Sequence, residues 1–287
     1  MHKLVRDAAG SELHNLTALP MRSAVVFREA VSDWPAVESW DLSRFEAIGS
    51  DLRMNVKTFN QGKQAIVPMT LKEYARYLRE SQNSGTSGAR YYLHDVPIFT
   101  VLPELRREIG RFPTNVLPAW YGAQWWRFAQ FFLGPDGAIT PLHFDTLLTN
   151  NIFFHLRGQK TFTLISRSEL EKCDRRDWRW FNLDVGGPDF DRIAAERGID
   201  FTRVTLNAGD VLHLPPGMLH HVRSSGITVS FNIDYHTCAS AVTALCRSAG
   251  RAPKQNMRYI LASLGGVIGL HQRRMFEAYS SYLNYVS

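Results

Sequence analysis

From residue 151 to residue 235 apolar and polar residues alternate in short runs, each closed by a cluster of turn-forming residues. Side chains of a strand point alternately to its two faces, so this rhythm predicts short strands with one buried face. The runs are 151–156, 160–165, 203–206, 211–214, 219–223 and 227–235. Between them stand Arg157-Gly158, Asn207-Ala208-Gly209-Asp210, Pro215-Pro216-Gly217 and Ser224-Ser225-Gly226. Many short strands separated by such turns predict a sandwich or a jelly roll, a mainly β fold.

The flanks read differently. Helical signals come first, in 42–48 and in Thr70-Leu71-Lys72-Glu73, a capping box that opens a helix running to about Glu80. The stretch Ser81-Gln82-Asn83-Ser84-Gly85-Thr86-Ser87-Gly88 is a flexible loop by composition. Residues 168–198 read as a helical or irregular insertion between strands, and after Thr237 the spacing of Ile260, Leu264, Val267 and Ile268 is helical. The expected layout is an N-terminal helical entry segment over 1–89, a core over 90–236 with its insertion, and a C-terminal helical subdomain over 237–287.

With 287 residues, 45% hydrophobic and 12% aromatic, the chain is large enough to bury a full core. The N-terminus has no long apolar run, and 259–270 is too short and glycine-interrupted to span a bilayer, so no membrane association and a cytoplasmic location are expected. Cys173, Cys238 and Cys246 are odd in number and widely spaced, which predicts small buried thiols and neither disulfides nor a thiolate zinc site. The net charge of +6 suits an anionic partner without showing one. Its short basic pairs, Arg106-Arg107, Arg175-Arg176 and Arg273-Arg274, read as solvated surface. The aromatic stretch Trp120-Tyr121 and Trp125-Trp126 reads as core filling.

Chemistry enters with Thr140-Pro141-Leu142-His143-Phe144-Asp145. On a strand, His-x-Asp aims both side chains at one face, which offers two metal ligands from one strand, although such a pair alone also reads as a surface hydrogen bond. The phrase from Gly209 through Pro215-Pro216-Gly217 to His220-His221 offers a third from a strand distant in sequence. Two imidazoles and a carboxylate occupy one face of an octahedral iron(II) and leave three adjacent positions for a bidentate 2-oxo acid and dioxygen. Lys160 follows at a strand start, where it either points into solvent or, inside a barrel, needs an anion. His213, in an apolar strand, reads as a satisfied interior histidine, and alternation turns His221 away from the metal.

These spaced phrases, together with Asn151 through Lys160, the segment from Val25 to Trp40 and Tyr91-Tyr92-Leu93, resemble the JmjC, cupin-8 family of Fe(II)- and 2-oxoglutarate-dependent oxygenases. The resemblance covers about residues 20–236. It implies a double-stranded β-helix (cupin-like jelly roll) and iron held by His143, Asp145 and His220. It further implies that Lys160 meets the distal carboxylate of 2-oxoglutarate, with Thr140, Tyr92, Asn151 and Asn232 lining the cosubstrate pocket. A one-residue slip would exchange Tyr92 with Tyr91, and extra length after Asp145 leaves Asn150 as an alternative to Asn151. His155, where many relatives carry glutamine, is open between a substrate contact, a group behind the metal ligands and a packed core histidine. The implied activity is a hydroxylase of a protein side chain, an amino acid or small metabolite, or an RNA base, using iron(II), 2-oxoglutarate and dioxygen. Its alternatives are a demethylase, a non-catalytic cupin module, and a metal-dependent isomerase or hydrolase. A homodimer through the C-terminal helices is expected from the surplus of apolar positions there.

Overall fold

The computed structural model describes residues 4–18, 23–48, 51, 53–60, 63–83 and 91–285. Eleven strands are assigned among them: β1 (Val5–Ala9), β2 (Ala24–Arg28), β3 (Arg53–Asn60), β4 (Lys63–Thr70), β5 (Tyr91–Val96), β6 (Ala129–Gly134), β7 (Ile139–His143), β8 (Asn150–Ile165), β9 (Phe201–Leu206), β10 (Val211–Leu214) and β11 (Leu219–Tyr235). The helices are α1 (Pro35–Ser39), α2 (Leu42–Ile48), α3 (Leu71–Asn83), α4 (Ile98–Val101), α5 (Ala119–Gly122), α6 (Phe190–Arg197), α7 (Cys238–Ser248), α8 (Lys254–Val267) and α9 (Gln272–Tyr285). No described helix is long and apolar enough to cross a membrane.

Two long strands hold the jelly roll together. β8 and β11 pair antiparallel along their length, and each serves two different neighbours. The first half of β8 pairs with β10 and its second half with β9, while β11 pairs first with β7 and then with β6. The main path of the eleven-stranded sheet thus runs β1-β2-β10-β8-β11-β6-β5-β3-β4, and β9 and β7 lie off it, flanking the other ends of β8 and β11 as a second face. Such sheet switching needs a sharp bend, which bulges supply. The sequence reading broke both strands at Arg157-Gly158 and at Ser224-Ser225-Gly226. In the structure the ladder continues through both, with its register shifting between Ser225 and Val229. Gly158 has φ +72°, and a Cβ there would lie 2.4 Å from the Ile227 carbonyl oxygen, so the bend requires glycine.

The N-terminal segment, expected to be helical, also supplies β1 and β2 at one sheet edge and β3 and β4 at the other. The helices predicted there are present: α2 spans Leu42–Ile48, and Thr70 and Glu73 cap α3 reciprocally at 2.8 and 3.1 Å. Residues 84–88 of the predicted flexible loop lie outside the described residues, and Ser81 to Asn83 complete α3. The aromatic stretch fills the core as expected, Trp125 stacking on Phe112 at 4.2 Å. Among the cysteines only Cys173 is buried; Cys238 and Cys246 are exposed, because α7 turns Ala241, Ala244 and Ser248 inward.

Candidate metal centre and cosubstrate cavity

β7 ends at His143, but the chain stays extended because His143 bridges to Trp180 and the Phe144 N–H donates to the Arg179 carbonyl at 3.2 Å. The insertion therefore prolongs the strand. Alternation persists, with Phe144 buried against Trp178 and Phe181 and with His143 and Asp145 facing the cavity. β11 pairs His220 directly with His143. Ligand-type atoms of His143, Asp145 and His220 all lie within 4.8 Å of one another.

Hydrogen bonds set the tautomers. The His143 Nδ1–H donates to the Pro141 carbonyl at 2.8 Å, and the His220 Nδ1–H to the Met218 carbonyl at 3.1 Å. A carbonyl oxygen accepts only, so both Nε2 lone pairs are left for the interior. The His220 Nε2 stands 3.7 Å from the Asp145 Oδ1. Burial first, then His220 and Arg179, push the His143 pKa well down, which keeps it neutral. Two neutral nitrogens and one carboxylate are the donor set of a non-haem iron(II) site, and the residues fit the ion.

The three line a cavity of about 850 Å³ between the two faces. At its other end Lys160 is 2% exposed and donates to the Tyr92 hydroxyl at 2.8 Å. The Tyr92, Phe132 and Phe153 rings surround its ammonium at 5.3 to 5.6 Å. Burial alone pushes its pKa down to about 7. A lysine held this way is expensive unless an anion enters. Thr140, Asn151 and Asn232 line the same cavity, and the Asn151 amide donates to the Asp145 Oδ2 at 3.3 Å. Asn150 instead reaches toward Ser240 at 3.4 Å, and Tyr91 packs against Tyr77; neither lines the cavity.

The cupin-like domain family matches residues 17–240. The chain belongs to this JmjC family. It is 33% identical over 107 residues to JmjC domain-containing protein D of Dictyostelium discoideum, covering 36% of this chain and 23% of that one. It is 24% identical over 234 residues to the lysine-specific demethylase JMJ30 of Arabidopsis thaliana, covering 74% and 49%. It is 21% identical over 266 residues to the human bifunctional peptidase and (3S)-lysyl hydroxylase JMJD7, covering 75% and 78%. The chain thus spans half or less of the length of the first two relatives.

Other residues of the JmjC cavity escaped the sequence reading. Asp95, at φ +61°, accepts from Lys57 at 3.3 Å and from His94 at 2.6 Å. Burial raises its pKa, but His94, Lys57 and Arg179 outweigh this and hold it down at about 2. Asp234 accepts from Asn151 at 2.9 Å, Asn232 at 3.2 Å and Tyr282 of α9 at 3.3 Å. Its pKa is pushed well up by burial, then by Asp145 and Asp95. Asp234 had a signal, since it stands two residues from Asn232 on the same strand face. Trp180, stacked on His143 at 4.8 Å, and Arg179 had none, because they lie in the irregular insertion.

Three histidines singled out in the sequence, His155, His221 and His213, lie apart from the cavity lining. His155 is fully buried and its Nε2 donates to the Gly158 carbonyl at 2.9 Å. His221 faces away from the metal ligands, toward Gly186, as alternation predicts. His213 is interior as expected but not satisfied, since neither ring nitrogen has a hydrogen-bond partner among the described residues, and burial pushes its pKa down to about 3.

Proposed function

We propose that the chain is an Fe(II)- and 2-oxoglutarate-dependent oxygenase, and a hydroxylase of a substrate yet to be identified. One observation carries this reading: a two-histidine, one-carboxylate donor set and an uncompensated buried lysine share one cavity. His143, Asp145 and His220 hold iron(II), which when bound activates dioxygen at the expense of 2-oxoglutarate. Lys160 and Tyr92 anchor the distal carboxylate, and Thr140, Asn151 and Asn232 shape the cosubstrate's wall. Asn151 also orients Asp145. The name of one relative, the 2-oxoglutarate and iron-dependent oxygenase JMJD4 of Danio rerio, 25% identical over 198 residues, supports the same cofactors.

The reading includes a homodimer through the C-terminal helices, supported by exposed apolar residues on α8 and just past its end, and a cytoplasmic location. Anaerobic titration of iron(II) with and without 2-oxoglutarate tests the core of it. A weak visible charge-transfer band that needs both additions, and that disappears in His220→Ala, is expected. A metal-dependent isomerase or hydrolase would give no such band, and a non-catalytic module would give the band without decarboxylating 2-oxoglutarate when dioxygen is admitted.

A further inference from the structure

We propose that Arg167, Arg175, Arg247 and Arg251 form an oxyanion site at the mouth of the JmjC cavity, which takes the phosphate group of the molecule to be oxidised. Its role as a substrate anchor rests on the oxygenase reading; its capacity to bind phosphate does not.

The four side chains come from three separate segments. Arg167 opens the short helical turn after β8, Arg175 belongs to the insertion, and Arg247 and Arg251 flank the end of α7. The Arg167 and Arg175 guanidinium carbons stand 5.4 and 5.8 Å from the centre of one ring, Phe144, which lies between two metal-ligand candidates. Arg167 is pressed onto the Gly217 backbone, where a Cβ would come within 2.4 Å of its Nη1. That Nη1 is buried and has no hydrogen-bond partner among the described residues. Arg175 is held in place by donation from its Nε to the Asp177 carbonyl at 2.9 Å. Arg175 also stands 5.4 Å from the Trp178 ring, Arg251 lines the cavity with that same Trp178, and Arg247 stands in the last turn of α7, four residues before Arg251. Burial first, then Arg247, Arg175 and Arg251, bring the Arg167 pKa down to about 10, and no carboxylate contributes.

Neighbouring acids are engaged elsewhere. Glu169 pairs with Lys172, Asp174 with Arg197 and Asp177 with Arg176. Four guanidiniums with no acid among them repel one another, and a partly buried donor without a partner adds a desolvation cost. A bound anion removes both penalties. Phosphate suits the cluster better than a carboxylate, since it brings up to two charges and more acceptor oxygens for several guanidinium forks. The site is continuous with the cavity, because Arg251 also lines it beside Trp178 and Asn256. The solvated-surface reading of Arg175 leaves the buried Arg167 nitrogen unexplained.

The test is calorimetric titration of the full chain with inorganic phosphate, with adenosine monophosphate as a phosphomonoester, and with a uridine pentanucleotide lacking terminal phosphates as a phosphodiester. Arg247 and Arg251 are exposed, so Arg247→Gln and Arg251→Gln keep the fold and carry the test; Arg167→Gln is secondary. Each exposed variant is expected to weaken phosphate binding by about three- to tenfold, a charge-assisted contact discounted for exposure. The double variant Arg273→Gln/Arg274→Gln, a basic pair elsewhere on the surface, should leave binding unchanged. Tighter binding of the monophosphate than of the pentanucleotide assigns a monoester ligand, and the reverse a phosphodiester. Absence of phosphate binding, indifference to the rim variants, or an equal loss in the control pair overturns the proposal. If phosphate binds as expected but no iron and 2-oxoglutarate band forms, the oxygenase reading has failed and the site has not.

Discussion

Lys160 is the residue whose charge depends most on what enters the cavity. The only described hydrogen bond of its ammonium is to the neutral Tyr92 hydroxyl, so in the proposed reading a cosubstrate carboxylate gives it a counter-charge that the fold does not supply. Lys160→Ala should raise the KM for 2-oxoglutarate by roughly 10- to 150-fold, the equivalent of about 1.5–3 kcal/mol for a hydrogen bond between charged groups. Iron binding should change little, and steady-state kinetics beside metal titration checks both halves. The same residue sets a pH dependence. Its pKa in the ligand-free fold, about 7, lies below the ordinary 10.5, so the unfolded chain binds more protons between those values. Stability of the ligand-free protein therefore gains from Lys160 as pH rises from about 7 to 10.5. Affinity for 2-oxoglutarate runs the other way, because the dianion selects the ammonium form. Calorimetric titrations should show the Kd rising above about pH 7, and Lys160→Arg, which keeps its charge, should flatten that rise.

At the scale of elements, the bend in β8 and β11 decides whether the two ends of the site face each other. Lys160 stands two residues beyond Gly158, on the half of β8 that pairs with β9, while Asn151 stands on the half that pairs with β10. A straight β8 would carry them apart on one flat sheet. Gly158→Ala places a side chain at φ +72° against the Ile227 carbonyl, and both strain and clash oppose it. A loss of about 1–3 kcal/mol or more is expected. Chemical denaturation measures it, and a stability within about 0.5 kcal/mol of the parent, the range of an ordinary surface change, would show that the ladder does not need this bend.

For the whole molecule, the C-terminal helices do two jobs. They close the cavity, with Tyr282 reaching Asp234 and with Asn256 and Tyr259 on the wall, and they bury Ile260, Tyr282 and Leu283 against their own chain. This accounts for part of the apolar surplus that suggested a dimer. What is left outside is Val242 on α7 and, further on, Leu261 on α8, Ile268 at its C-cap and Leu270 just beyond, each more than half exposed. The proposed dimer buries these residues. Light scattering at micromolar concentration should return twice the monomer mass, and Leu261→Arg with Ile268→Arg should return the monomer, since symmetry brings like charges together. A monomeric parent protein ends the dimer proposal and leaves the site untouched.

The sequence by itself determined the jelly roll and the convergence of His143, Asp145 and His220, because both depend on short-range rules. Alternation fixes the face of each side chain, and a ladder partner fixes its height, so residues within one strand or one pairing are legible. Asn232 predicts Asp234 by the same rule. Tertiary structure alone decided which neighbours complete the cavity. Lys57 and Asp95 come from strands at one edge of the sheet, Arg179 and Trp180 from an insertion without periodicity, and Tyr282 from the last helix. No local spacing relates these segments. His155 shows the same limit from the other side. Its place on β8 left its role open, and the bend at Gly158 turned it into a buried donor to that residue's carbonyl. Gly158 lets β8 bend where it does, a signal the sequence carries, but which strands cover each half is a property of the packed sheets.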